Sequence, residues 1–179
     1  RVLENMGLRV GIIAQPDWKD IQSVQGMGAP RLFVGITAGN LDSMLSNYTA
    51  ARHRRKDDVY SAGGVPGRRP NHAAVVYSQM ARRAFPGAPV VLGGMEASMR
   101  RVAHYDYWED KLKPSIMADA KADVLVYGMG ESAVRGMLVR NPSPEQIEHA
   151  IQPGLPVDGA RVINKPVASE LVDAETITW

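Results

Sequence analysis

The densest group of chemically capable side chains lies between Glu96 and Asp110, where Glu96, Arg100, Arg101, His104 and Asp106 alternate with Tyr105, Tyr107 and Trp108. Guanidinium groups grip carboxylates and phosphates through paired hydrogen bonds, and an imidazole in the same segment is a donor that titrates near neutral pH. The segment is therefore a candidate anion site. A second reading is equally open: the arginines pair with local carboxylates while the aromatic rings fill space against a sheet.

Three glycine-bearing turns add to this candidate, each following a short apolar run. They are Thr37-Ala38-Gly39-Asn40, Gly93-Gly94 immediately ahead of the charged segment, and Gly128-Met129-Gly130-Glu131. Glycine permits positive φ and close backbone approach, and a helix starting just after such a turn offers free N–H groups to a polar ligand. If the apolar runs are parallel strands, all three turns sit on one sheet edge, where open α/β sheets bind ligands. The expected ligand-binding set is Thr37, Gly39, Asn40, Gly93, Gly94, Glu96, Arg100, Arg101, His104, Asp106, Gly128, Gly130 and Glu131, converging on one pocket. Each glycine turn also has a plain structural reading as a tight turn with no ligand.

Several chemistries are excluded by what is missing. No G-x-G-x-x-G follows a strand and no Walker sequence occurs, so neither a dinucleotide fold nor a phosphate-loop NTPase is indicated. Ser43, Ser78 and Ser98 lack the G-x-S-x-G setting of a nucleophile elbow. His53, His72 and His104 lack helical metal-ligand spacing, and no metal site or catalytic residue is expected. The chain contains no cysteine, which removes disulfides, thiolate-bound zinc and iron–sulfur ligation within it. A net charge of +2 with 21 basic and 19 acidic residues leaves only local basic patches. One such patch, Arg52, Arg54, Arg55, Arg68 and Arg69, makes a nucleic-acid module the least favoured of three function classes. No apolar run approaches the ~18 residues of a membrane span and no leader is recognisable, so a soluble cytoplasmic protein without membrane contact is expected.

The elements that must position these residues alternate between strand and helix. Arg1–Gly7 reads as the end of a helix capped by Gly7, which suggests a fragment entered after an earlier strand. Val10–Ala14 is expected to be a strand, residues 18–25 a short helix, Leu32–Ile36 a strand and residues 41–47 a helix. The polar stretch 48–70 exceeds ordinary loop lengths and is either a lid or partner surface or a solvated loop. Asn71 is the expected N-cap of a helix reaching Phe85, followed by a strand at Pro89–Leu92. A strand at Asp123–Tyr127, a helix over about 131–140, a short helix at about 144–151 and an extended tail complete the pattern, with Trp179 packed on something. Strands apolar on both faces belong inside a parallel sheet covered by helices. The fold class is α/β, a flavodoxin-like three-layer sandwich with a mainly parallel sheet, divided into a domain at 1–141 and a helix-plus-tail at 142–179.

The strings GLRVGIIAQPDW, FVGITAGNLDSM, NYTAARHRRKDD, VLGGMEASMRRVAHYDYW and KADVLVYGMGE resemble the N-terminal domain of YgiQ-type radical SAM proteins, over residues 1 to about 131. The resemblance implies a following barrel whose C-x-x-x-C-x-x-C motif holds a [4Fe–4S] cluster that cleaves S-adenosylmethionine. No such motif occurs here, so this chain is expected to carry no cofactor and to catalyse nothing alone. The resemblance extends to cobalamin-binding domains: Thr37-Ala38-Gly39 stands at their polar turn, Gly93-Gly94 at their double glycine and Gly128-Met129-Gly130-Glu131 at their G-x-G-E exit. Their D-x-H-x-x-G ligand motif would fall ahead of Arg1, and cobalamin is an option that no residue here supports. The implied role is an accessory domain that binds a ligand or covers the active site, with the radical SAM barrel of the same polypeptide and an unidentified small-molecule substrate as partners. An independent α/β small-molecule enzyme is the alternative.

Overall fold

The computed structural model describes residues 1–139 and 160–164. The expected helix at 144–151 and Trp179 lie outside the described residues. Three short strands, β1 (Val34–Ile36), β2 (Val90–Leu92) and β5 (Val124–Gly128), pair in parallel, and β6 (Ala160–Asn164) adds to β5 in the opposite direction, giving the order β1-β2-β5-β6. The register sets Val34 beside Val90, Ile36 beside Leu92 and Leu92 beside Leu125. On the far side Val124 faces Asn164 and Gly128 faces Ala160.

Period-two alternation explains why these runs read as apolar throughout. Val90, Leu92 and Leu125 enter one core with Ala73, Ala74, Tyr77, Met80 and Ala81 of α4 (Ala73–Ala84) and with Ile116, Met117 and Ala120 of α6 (Ile116–Ala120). Val91, Val124 and Val126 point the other way, against Ala133 and Met137 of α7 (Glu131–Val139) and Phe33. Both faces of the central strands β2 and β5 are therefore buried, as parallel strands require. The smaller elements are α1 (Val2–Asn5), α2 (Gln22–Gln25), α3 (Ser43–Asn47), α5 (Gly94–Met99) and the antiparallel hairpin of β3 (His104–Asp106) and β4 (Lys111–Lys113). Among the described residues no helix is long and apolar enough to cross a membrane.

The structure departs from expectation in four places. Val10–Ala14 forms no strand: Ile12 is 78% exposed and no backbone partner for the run exists among the described residues. An apolar run becomes a strand only where a neighbour completes its ladder. Asn71 does not cap α4. His72 takes the N-cap position in a left-handed conformation, and Asn71 instead accepts from Asn47 Nδ2 and donates to Tyr48 Oη. The stretch that includes residues 160–164, almost without periodic signal, supplies β6. The β3–β4 hairpin is built largely from a segment that reads only as a charged and aromatic cluster.

The long stretch 48–70 is pinned rather than loosely solvated. Asp58 and Arg69, each about 95% buried, form an ion pair in which Arg69 Nη2 donates to both carboxylate oxygens, at 2.8 and 3.0 Å. Ser61 Oγ donates to the same carboxylate at 2.7 Å, as does the Tyr60 amide at 3.0 Å, and the Arg69 guanidinium lies 5.4 Å from the Tyr60 ring centre. A second clamp is aromatic: Trp108 packs on Tyr48 and Tyr107, and Arg52 covers the Tyr107 ring while donating to its carbonyl.

Burial alone would raise the Asp58 carboxyl, but hydrogen bonds from Ser61, Arg69 and Tyr60 together with the Arg69 charge outweigh it and hold the group below its ordinary value. A carboxyl depressed in the folded state contributes stability that is fully present above its unfolded value of about 4 and is lost as pH falls through the folded value. Asp58→Asn is expected to cost about 3–5 kcal/mol at pH 7, because it leaves Arg69 buried without its counter-charge. The difference between the two proteins should shrink in urea melts carried below pH 4. A cost under 1 kcal/mol would show that the pair does not pin the segment.

Candidate functional site

The centre of the site is a buried carboxylate. Strand β2 ends at Leu92, Gly93 continues in extended backbone, and α5 begins at Gly94, so Glu96 lies in the first turn and is carried beneath the sheet edge. It is 1% exposed. Its Oε2 accepts from the Ser43 amide at 2.8 Å and its Oε1 from the Ala74 amide at 3.1 Å. These amides belong to the first turns of α3 and α4, where helical N–H groups have no partner within their own helix. One carboxylate thus caps two helices. Ser43 Oγ completes the arrangement by accepting from the Ala73 amide at 3.0 Å.

Asp42 caps α3 directly, accepting from Met44 at 2.9 Å and Leu45 at 3.3 Å, and its other oxygen pairs with Arg100. Arg100 closes α5 and accepts at its carbonyl from the Ile116 amide at 2.9 Å, which ties α5 to the start of α6. Burial would lower the Arg100 guanidinium, but the hydrogen bond and charge of Asp42, with Glu96 and Asp106 behind it, raise it above its ordinary value. Tyr77, whose buried hydroxyl has no partner, is pushed up to about 12 by burial, with Arg69 opposing and Glu96 assisting.

The three glycine turns lie side by side. The Gly93 amide donates to the Ile36 carbonyl at 2.9 Å. A Cβ on Gly94, whose φ is +80°, would collide with Thr37 Oγ1, so the turns after β1 and β2 touch. A Cβ on Gly93 would stand 3.8 Å from the Val126 carbonyl oxygen and one on Gly130 3.4 Å from Val126 Cγ1, which joins the turn after β5 to the same edge. Thr37, Gly39, Asn40, Gly94, Gly128 and Glu131 are exposed there. Arg101 flanks them, 4.9 Å from the Tyr127 ring centre and donating to the Ser98 carbonyl at 2.7 Å. Exposed Met95, Met99 and Met129 border the edge.

The structure therefore divides the expected residues into three groups. The turn residues and Arg101 share the carboxyl edge. Glu96 and Arg100 lie beneath it, engaged by protein partners. His104 and Asp106 belong to the β3–β4 hairpin. His104 Nδ1 lies 3.1 Å from the Val102 carbonyl and its buried Nε2 has no partner. Asp106 Oδ1 accepts from the Trp108 and Glu109 amides at 2.8 and 2.9 Å, while its buried Oδ2 has none. Burial pushes the Asp106 carboxyl up, but those two amides, with help from the His72 and Lys113 charges, bring it below its ordinary value. Hydrogen bonds from Lys111 and Lys113 hold the exposed Glu109 carboxyl at about 2. The sheet's amino edge carries a separate apolar groove of about 550 Å³, lined by Leu8, Phe33, Phe85, Pro89, Val91 and Val124, remote from the glycine turns.

A model of the family described as radical SAM N-terminal matches residues 1–164. The chain belongs to the radical SAM N-terminal family. Its relatives include a UPF0313 protein of Thermotoga maritima, 56% identical over 135 residues that are 75% of this chain and 24% of that protein. A UPF0313 protein of Bradyrhizobium diazoefficiens is 57% identical over 134 residues, 75% of this chain and 20% of its own length. One of Pseudomonas aeruginosa is 54% identical over 134 residues, 75% and 18% respectively. The chain thus spans about a quarter or less of the length of these relatives. No solved structure matches it.

Within this radical SAM N-terminal domain, the residues that organise the site but escape sequence reading are Asp42, Ser43, Asp58, Arg69, His72 and Glu109. Asp42 carried a signal, an aspartate just ahead of a short helical stretch. Asp58 and Arg69 meet across 11 residues, and Ser43 is engaged over a longer span by Glu96, 53 residues on.

Glu96→Gln keeps the shape of the side chain but turns an amide N–H toward one of the two helix amides. It is expected to lower stability by about 1–3 kcal/mol, the cost of one buried donor left unsatisfied, read from urea denaturation. Gly94→Ala should cost about 1–3 kcal/mol through its left-handed backbone, plus a steric part that Thr37→Gly relieves in a double-mutant cycle. Additive effects in that cycle would show that the two turns are not pressed together.

Proposed function

We propose that this chain is the N-terminal accessory domain of a radical SAM enzyme, and that its carboxyl edge faces the reaction centre held elsewhere in the same polypeptide. The chemistry itself belongs outside this chain. A [4Fe–4S] cluster needs thiolate ligands and the sequence has no cysteine, so these residues do not fit the cluster and no step is assigned to them through it. Family membership supports S-adenosylmethionine and the cluster as cofactors of the parent protein, which we take to be cytoplasmic, and a radical SAM barrel as this domain's partner. Family membership lends cobalamin no support, and no role is assigned to it here.

The observation that carries the reading is the composition of the edge. With Glu96 and Arg100 engaged inside, what faces outward is glycine backbone, Thr37, Asn40, Glu131 and three methionines. Methionine adapts its shape to irregular surfaces, and exposed apolar patches mark interaction sites. A ligand role for Thr37, Gly39, Asn40, Gly93, Gly94, Arg101, Gly128, Gly130 and Glu131 fits the same face: small residues admit a substrate closely while the methionines seal its surroundings. Glu96 and Arg100 then act as supports that fix the turns, and His104 and Asp106 fall outside the face. The finer fold reading is a flavodoxin-like sandwich, supported by parallel strands with helical packing on both sides.

Peroxide footprinting tests the orientation. Met95, Met99 and Met129 should oxidise several-fold more slowly in the complete polypeptide than in this isolated chain, measured by peptide mass spectrometry. Equal rates in the two proteins would refute the proposed facing.

A further inference from the structure

We propose that His72, Asp106 and Glu109 form a site for a divalent transition-metal ion of the zinc class. The three come from different elements: His72 opens α4, Asp106 ends β3 and Glu109 lies in the turn leading to β4. One ligand atom of each lies within 4.8 Å of the other two, and His72 Nε2 is 3.9 Å from Glu109 Oε1. Bonds of about 2.1 Å in tetrahedral geometry set ligands roughly 3.4 Å apart. The cluster needs only a modest contraction to reach that, and Glu109 is exposed and free to move inward.

Asp106 points to a ligand independently of the clustering. Its side chain is 3% exposed, and the fold satisfies only Oδ1. The buried Oδ2 has no donor. An ionised carboxylate oxygen out of water and without a partner is unfavourable, and a cation bound beside it removes that penalty. A ligand set of one imidazole and two carboxylates, with no sulfur, suits zinc and its first-row neighbours rather than soft ions, with zinc among the tighter binders. A shallow groove of about 360 Å³ lined by Asn71, His72, Val75, Gln79, Lys113 and Asp119 opens beside the cluster, giving entry to the ion and room for a water as further ligand.

Two lysines compete for the site. Lys111 pairs with Glu109 Oε2 at 2.6 Å and Lys113 pairs with Oε1. The Lys111 pair is solvent-exposed and contributes little, so an ion bound by three ligands displaces at least that lysine. This competition gives the proposal its own signature: weakening the lysine pairing strengthens metal binding. Bound metal would fasten the start of α4 to the hairpin, independently of any cofactor chemistry in the parent protein.

The test is isothermal titration of the 179-residue chain, stripped with chelator and exchanged into chelator-free buffer, with zinc chloride. One equivalent is expected to bind. His72→Ala and the solvent-exposed change Glu109→Gln should each weaken binding at least tenfold, and Lys111→Ala, at a side chain exposed enough to leave the fold intact, should tighten it several-fold. With no cysteine and four histidines in the chain, competing sites are few. The proposal is overturned if the unmodified chain takes up no zinc, if Glu109→Gln titrates like the unmodified chain, or if Lys111→Ala leaves the affinity unchanged.

Discussion

The side chain of Glu96 accepts from the first turns of two helices that start 30 residues apart in sequence, and the contacts of Ser43, Asp42 and Arg100 gather around it. The shared acceptor requires α3 and α4 to present their amino ends to the same point. Asp42 and Ser43 can then reach Arg100 and Ala73. A residue with fewer than two acceptor oxygens at that position would leave the Ser43 or the Ala74 amide without its partner, and His72 provides no side-chain cap to replace it at α4. The negative charge also sits where two helix dipoles present their positive ends, so burial of the carboxylate is offset by both.

Because Glu96 is only two residues from Gly94, this capping also fixes the glycine turn. The close contact between Gly94 and Thr37 is maintained from below by the helices and from the side by the ladder between β1 and β2. The outer face is therefore preorganised from beneath, with Glu131 and the flanking Arg101 as its charged groups. Polar residues that would ordinarily be read as ligand contacts instead act as internal fasteners. A second fastening, Asp58 with Arg69, does for the long 48–70 segment what Glu96 does for the helices, and the Tyr48–Trp108–Tyr107 stack joins that segment to the hairpin.

How much of this was legible in the sequence depends on whether the governing interaction is local. Strands β2 and β5 were readable because burial on both faces leaves an uninterrupted apolar run, which the half-buried β1 also carries, and the same logic placed the glycine turns on one edge. Val10–Ala14 carries the same pattern without becoming a strand, because pattern reports burial preference and not the presence of a ladder partner. Glu96 and Arg100 stood out in the sequence as candidate ligand contacts, but residue type does not reveal direction: a carboxylate beside a strand end can point toward a ligand or toward a helix start. The grouping of His72 with Asp106 and Glu109 spans more than 30 residues and depends on the hairpin's turn, for which the segment shows no regular period. The Gly94 constraint was visible as a glycine but not as a contact with Thr37.

The reversed direction of β6 has a consequence for how the domain is wired into a longer polypeptide. Strand β5 climbs toward the glycine turns, and β6 descends beside it, so that Asn164 stands level with Val124 at the base of the sheet. Whatever continues covalently from Asn164 starts at the opposite end from Thr37, Gly94 and Gly128. To come over the glycine turns it must first climb the height of β5, about 17 Å at 3.4 Å per residue. The route of the tether, and not only the chemistry of the face, thus constrains how a following domain can be mounted above that edge.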